Sequence, residues 1–227
     1  MGYNNENATP IVFDLETAPI ADAADYLEPV AAPANYKDPE KIAAYIAEAQ
    51  QKALDKAALD LDLCRIVAIG FDDSTATSRL DPTVYTAALG EPEERAMLRQ
   101  FWQVVGDRPL LGFNCLAFDL PVLLRRSLYL GVETRPFVMS KYKHPGIIDL
   151  MQHLSFDGLL PYRSLSFYVK RFGLDVPADD TTGADIGALV AAGDWDAVAH
   201  HCRIDVLKTR VLAARVGLLA SETEVIL

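Results

Sequence analysis

The chain has 227 residues, 51% of them hydrophobic, enough for one well-buried core, and its formal net charge of −11 argues against a protein that coats duplex nucleic acid with a basic surface. Its three cysteines, Cys64, Cys115 and Cys202, are far apart and form no C-x-x-C, which excludes a disulfide framework and makes a reducing cytoplasm the expected location. No signal-peptide pattern opens the chain, and no apolar run approaches the roughly 20 residues of a membrane span, so no membrane contact is expected.

Residues 1–9 are polar and expected to be flexible. Residues 11–17 predict a strand, β-branched and aromatic at Ile-Val-Phe, with Thr17-Ala18-Pro19 ending it. A loop with Pro29 and Pro33 follows. Residues 38–59 then predict a helical insert, with Asp38 as N-cap, Pro39 at the first position and Ile42, Ala43, Ile46 and Ala49 at helical spacing. Strands are predicted at 64–72 and around 78–87, a helix at 91–105 ending at Gly106, and a short buried strand at 109–113. Asp119 opens a helix through Leu130, closed by Gly131 as a C′ glycine. Residues 146–155 and 164–172 predict helices, the second capped by Ser164 and closed by Gly173. The acidic stretch 175–187 predicts a surface loop, and Asp194 caps a last long helix through about Leu218. Strands come early and helices later, joined by crossovers, which is an α/β fold with a mixed sheet. No repeat or linker divides the chain, so 1–227 is read as one domain.

Asp14 and Glu16 are two apart on the first strand, so both side chains share one face, with Phe13 and Leu15 on the other. Two acids on a central strand repel each other and resist burial. A pair of hard divalent cations, Mg²⁺ or Mn²⁺, would offset that cost, since such ions prefer carboxylate oxygen. The plainer alternative is two solvated acids at a sheet edge. Asp119, after Asn114-Cys115-Leu116-Ala117-Phe118, is either an N-cap or a further ligand facing the first pair. Asn114 would then reach a sugar or order the loop. His201 and Asp205 are four apart on the last helix and share a face. That spacing suits a metal ligand at Asp205 and a general base at His201, or an ordinary helix pair. His144 and Asp149 fit a similar spacing, but the last helix carries the fuller motif, and Asp149 is read as supporting the site or ordering a loop. Arg125, Lys141, Lys143 and Lys170 are candidates for backbone contacts or simply solvated charges. No P-loop, dinucleotide fingerprint, nucleophile elbow or zinc-type cluster is present in the sequence.

Taken in order, D-L-E-T at 14–17, G-F-N-x-x-x-F-D at 112–119, and H-C-x-x-D-V at 201–206 with Thr209 resemble the three exonuclease motifs of the DEDD superfamily. Within it, the chain resembles the predicted 3′→5′ exonucleases similar to the exonuclease domain of family B DNA polymerases. Residues 33–43 with their helix resemble an insert of phage-type members, and the segments 148–151, 163–166 and 193–195 resemble further family segments, so the resemblance covers nearly the whole chain.

The resemblance implies a ribonuclease H-like sheet, two metal ions (Mg²⁺ or Mn²⁺) held by Asp14, Glu16, Asp119 and Asp205, and hydrolysis at nucleic-acid 3′ ends, with single-stranded DNA as the expected substrate. Leu15, Thr17 and Asn114 are the residues expected to bind substrate. Nearest relatives usually carry Tyr four before the last Asp, where this chain has His201. Another branch uses His five before it, here His200. Helical geometry favours His201 and leaves His200 as second choice, because four residues return a side chain to the face of Asp205 and five turn it away. A 3′→5′ exoribonuclease, or a catalytically idle nucleic-acid-binding module that kept the fold, are the alternative functions.

Overall fold

A computed structural model describes residues 8–72, 81–138, 140 and 143–219. Residues 1–7 of the expected flexible N-terminus, residues 78–80 of the expected third strand, and Lys141 lie outside the described residues. The sheet has five strands: β1 (Ile11–Pro19), β2 (Cys64–Asp72), β3 (Thr83–Thr86), β4 (Leu110–Gly112) and β5 (Ile147–Asp149). Their order is β3-β2-β1-β4-β5. β1, β2 and β3 pair antiparallel, while β1, β4 and β5 pair in parallel, so the sheet is mixed with β1 at its centre. β1 runs to Pro19, which a strand end tolerates because only a terminal donor is lost.

Strand periodicity sorts the core. Ile11, Phe13 and Leu15 join a cluster with α2 (Glu91–Val105) and α3 (Asp119–Tyr129) on one face. Val12 joins Val206, Leu212 and Ala213 of α7 (Trp195–Arg215) on the other. A buried ion pair ties the first face together. The Glu94 carboxylate takes two 2.8 Å hydrogen bonds from Arg126 of α3 and a third, at 2.9 Å, from the Ile66 N–H beside the bulge at Glu16/Thr17. Both partners are satisfied, which is the condition under which buried charges are tolerated.

Local signals read correctly at several ends. The helical insert is α1 (Pro39–Ala57), and the Asp38 carboxylate accepts the Glu40 N–H at 2.9 Å. Ser164 caps α5 (Leu165–Phe172), and Asp194 caps α7. Gly131, at φ 61°, follows α3 in a conformation that disfavours any side chain.

Two expectations are corrected. Residues 146–155 are not one helix. Ile147–Asp149 form β5, paired in parallel with β4, and only Leu150–Leu154 (α4) are helical. Ile147 and Ile148 suit a strand, and a neighbour distant in sequence overrides the helical pattern. The stretch 175–187 is not a loop throughout. A short 3-10 turn at Gly183–Asp185 leads into α6 (Ile186–Ala192). Thr182 and Asp185 form a capping box there, and Ile186 is buried.

Candidate active site

Asp14 and Glu16 lie on the face of β1 that α7 covers. Their register partners on β2 are Gly70 and Ala68, two of the smallest residues. A Cβ at Gly70 would stand 2.8 Å from both the Cys202 Sγ and a Val206 methyl, so glycine lets α7 press against the sheet. The Cys202 thiol donates to the Asp14 carbonyl at 3.7 Å. With α7 so close, its residues one turn apart reach the β1 acids. His201 Nε2 lies 3.7 Å from Glu16 Oε1, and the Asp205 carboxylate accepts from Lys208 Nζ at 2.7 Å. His201 is buried, whereas His200 is exposed.

Asp119 arrives from the opposite side of β1. The residue at the cap position is Phe118, and no side chain caps the helix, so Asp119 is not the N-cap that one reading allowed. Its carboxylate instead accepts from its own N–H and from the Leu15 N–H. The parallel pairing of β4 with β1 covers Ile11 and Val12 only, upstream of Leu15. The loop before Asp119 is held by Asp149, whose buried carboxylate accepts the N–H groups of Asn114 (3.0 Å), Leu116 (2.9 Å), Met151 (2.9 Å) and Gln152 (3.2 Å). Asn114 itself sits at φ 61°, a conformation that asparagine tolerates better than most residues.

The electrostatics follow from crowding acids away from water. Burial pushes the Asp14 carboxyl well above the usual range, and the charges of Asp119, Glu16 and Asp205 push it further. Glu16 is raised by burial and then by Asp205, Asp119 and Asp179. Asp119 is pushed up to about 7, by burial first and also by Asp149, against the two N–H hydrogen bonds it accepts. The Lys208 ammonium opposes the rise at both Asp14 and Glu16. One ligand atom each from Asp14, Glu16 and Cys202 lies within 4.8 Å of the others, as it does for Asp179, His201 and Asp205. Burial, then the neighbouring carboxylates, hold the Cys202 thiol well above its ordinary range, so it stays protonated and the oxygens are the donors. Several carboxylates short of positive charge are the donor set that a hard divalent cation takes.

The other named residues fall less neatly. Leu15 packs in the core, and the Thr17 hydroxyl donates to the Ala58 carbonyl at 2.6 Å. Arg125 pairs with Asp62 at 3.2 Å, while Lys143 and Lys170 are exposed. Sequence reasoning missed Lys208 and Asp179. Lys208 follows Asp205 by three residues, a spacing that was there to be read. Asp179 Oδ2 meets His201 Nδ1 at 2.5 Å, and its only local signal is the turn it makes with the Thr181 N–H at 3.0 Å. No helix among the described residues is long and apolar enough to cross a membrane.

A family model described as a predicted 3′–5′ exonuclease related to the exonuclease domain of PolB matches residues 57–225. The match is thus shorter than the motif resemblance and begins after β1, whose two acids are joined to the rest by the tertiary structure. An uncharacterized protein of Methanocaldococcus jannaschii is 33% identical over 134 residues, which cover 53% of this chain and 73% of that protein. Among solved structures, the family B DNA polymerase from the hyperthermophilic archaeon Pyrobaculum calidifontis aligns with a TM-score of 0.53 at 17% identity, over 91% of this chain. The alignment spans only 24% of that polymerase, and the likeness is one of fold, which is ribonuclease H-like. With most of its length matched, the chain belongs to the family of predicted 3′–5′ exonucleases related to the exonuclease domain of PolB.

Proposed function

We propose that the protein is a metal-dependent 3′→5′ exonuclease that hydrolyses phosphodiester bonds from the 3′ end of single-stranded DNA by a two-metal mechanism. The observation that carries this reading is the meeting of Asp14, Glu16, Asp119 and Asp205 beside one buried histidine, with three of the acids held above the ordinary carboxylate range. Asp14 feels all three of the other acids and is the shared ligand, with Glu16, Asp119 and Asp205 completing the set. When bound, two Mg²⁺ or Mn²⁺ ions supply an activated water and charge stabilisation for the leaving 3′ oxygen. His201 takes the proton from the attacking water through Nε2. Lys208 balances the acids, through its 2.7 Å contact with Asp205 and its charge near Asp14 and Glu16.

Asn114 is the retained substrate contact, since the Leu15 side chain and the Thr17 hydroxyl are already engaged. Beside it, Phe113 meets Tyr168 at 6.3 Å between ring centroids, and Tyr168 stacks on Phe172. Arg163 over Phe167 and Arg215 over Phe172 add positive charge to this aromatic patch. Stacking surfaces with local cations suit a single strand better than a duplex, in keeping with the net charge of −11.

The test is incubation of 5′-labelled single-stranded DNA and matched RNA with Mg²⁺ or Mn²⁺, then with EDTA. The expected result is a metal-dependent ladder shortening from the 3′ end of DNA, abolished by Asp14→Ala or Asp205→Ala in folded protein and cut far more by His201→Ala than by His200→Ala. Cleavage of RNA in preference to DNA would reassign the substrate. A folded protein that cuts neither would be an idle binding module.

A further inference from the structure

Resting on that exonuclease reading, we infer that Asp179 is the positioning residue for His201: it holds the imidazole as the Nδ1–H tautomer, with the Nε2 lone pair turned toward the acids of β1. Asp179 lies 22 residues before His201, in the irregular segment between α5 and α6. The two side chains are almost closed to solvent, Asp179 at 3% exposure and His201 at 6%. Oδ2 of Asp179 meets Nδ1 at 2.5 Å, while Nε2, on the far side of the ring, is 3.7 Å from Glu16 Oε1. An ionised carboxylate can only accept, so the shared proton belongs to Nδ1. In a neutral imidazole that leaves Nε2 as the acceptor, the atom a general base needs. The ring is fixed in tautomer and orientation by the same contact.

The carboxylate is itself held in place. Its second oxygen accepts the Thr181 N–H at 3.0 Å, so both oxygens are engaged. This argues for a support rather than a metal ligand, although Asp179, His201 and Asp205 are close enough to share an ion. The segment is pinned at each end. Leu174 N–H bonds the Val169 carbonyl at 3.0 Å after α5, and the Thr182–Asp185 capping box opens the turn into α6. A carboxylate three residues before a pinned turn is a rigid backstop for a ring.

Asp179→Asn tests this directly. Asparagine keeps the volume and can still accept from Thr181, so the loop stays, but its NH₂ can face Nδ1 and drive the proton to Nε2. A general base is worth about 10²- to 10⁴-fold, which caps the loss. We expect kcat to fall roughly 10- to 100-fold, with the oligonucleotide KM and the metal concentration for half-maximal rate unchanged within about twofold. In a His201→Gln background the same change should cost nothing more, because Asp179 acts only through the ring.

Ring ¹⁵N NMR of the metal-free protein gives a readout independent of activity. With the His201 signal assigned by its loss in His201→Gln, the wild type should show Nδ1–H and Asp179→Asn should shift toward Nε2–H. A raised metal requirement with kcat preserved would make Asp179 a ligand. An equal loss in the His201→Gln background, or an Nε2–H tautomer in the wild type, would overturn the assignment. A wild type inert on DNA and RNA would remove the exonuclease reading and the catalytic half of this one, while the NMR still decides whether Asp179 sets the ring.

Discussion

Replacing Asp119 by asparagine should abolish activity and yet stabilise the metal-free protein, by an amount that grows with pH. In the folded chain this carboxyl is raised from 3.8 to about 7, chiefly by burial, with Asp149 adding to it and two N–H hydrogen bonds opposing. The folded state therefore holds the proton more tightly than the unfolded state does. Stability from this group is fully present below the unfolded value of 3.8, is lost as pH rises, and is gone above the folded value of about 7. At about 1.4 kcal/mol per pKa unit, a rise of about three units makes the loss about 4 kcal/mol near pH 8 and between about 1 and 2 kcal/mol near pH 5. These are upper limits, since water entering an opened site relieves part of the penalty. Asparagine keeps the acceptor for the Leu15 N–H and carries no charge. Urea melts in EDTA at about pH 5 and about pH 8 read the difference between the two proteins. Saturating Mg²⁺ near pH 8 should stabilise the wild type more than the variant, because only the wild type offers the full set of charges. A difference that does not change with pH, or a variant less stable than the wild type near pH 8, would refute the reasoning.

Gly70→Ala puts a methyl 2.8 Å from Cys202 Sγ and Val206 Cγ2, so α7 must shift. A loss of about 1–3 kcal/mol in denaturant melts, with reduced kcat because His201 and Asp205 ride on that helix, is the expected outcome; wild-type values for both would show that the contact is slack. Asp149→Ala removes the acceptor of four N–H groups. It should cost about 2–4 kcal/mol and most of the activity, with Asp149→Asn recovering part of each, whereas unchanged stability would mean that the 114–116 loop is held by other contacts.

Much of the frame was legible in the residue order because it rests on short-range physics. Alternation along 11–17 separated the Asp14/Glu16 face from the Phe13/Leu15 face, and the core clusters follow that division. Asp38 with Pro39, Ser164 and Asp194 marked three helix starts through contacts spanning two or three residues. The spacing of His201 and Asp205 put them on one helical face. The same order did not reveal that Ile147–Asp149 would be a strand, because its partner β4 lies more than thirty residues upstream. It offered two readings of Asp119, and the N-cap one fails because the fold puts Phe118 at the cap position with no side chain capping the helix. It passed over Gly70, whose missing side chain matters only because α7 lies on it. Asp179 read as one more acid in a solvated stretch until folding set it against His201. The sequence by itself determined which groups were available and which face of each element they occupy, because those follow from neighbours a few bonds away. Only the tertiary structure decided which buried groups would meet, because desolvation, charge crowding and hydrogen bonding between distant segments exist only once the sheet and helices have packed.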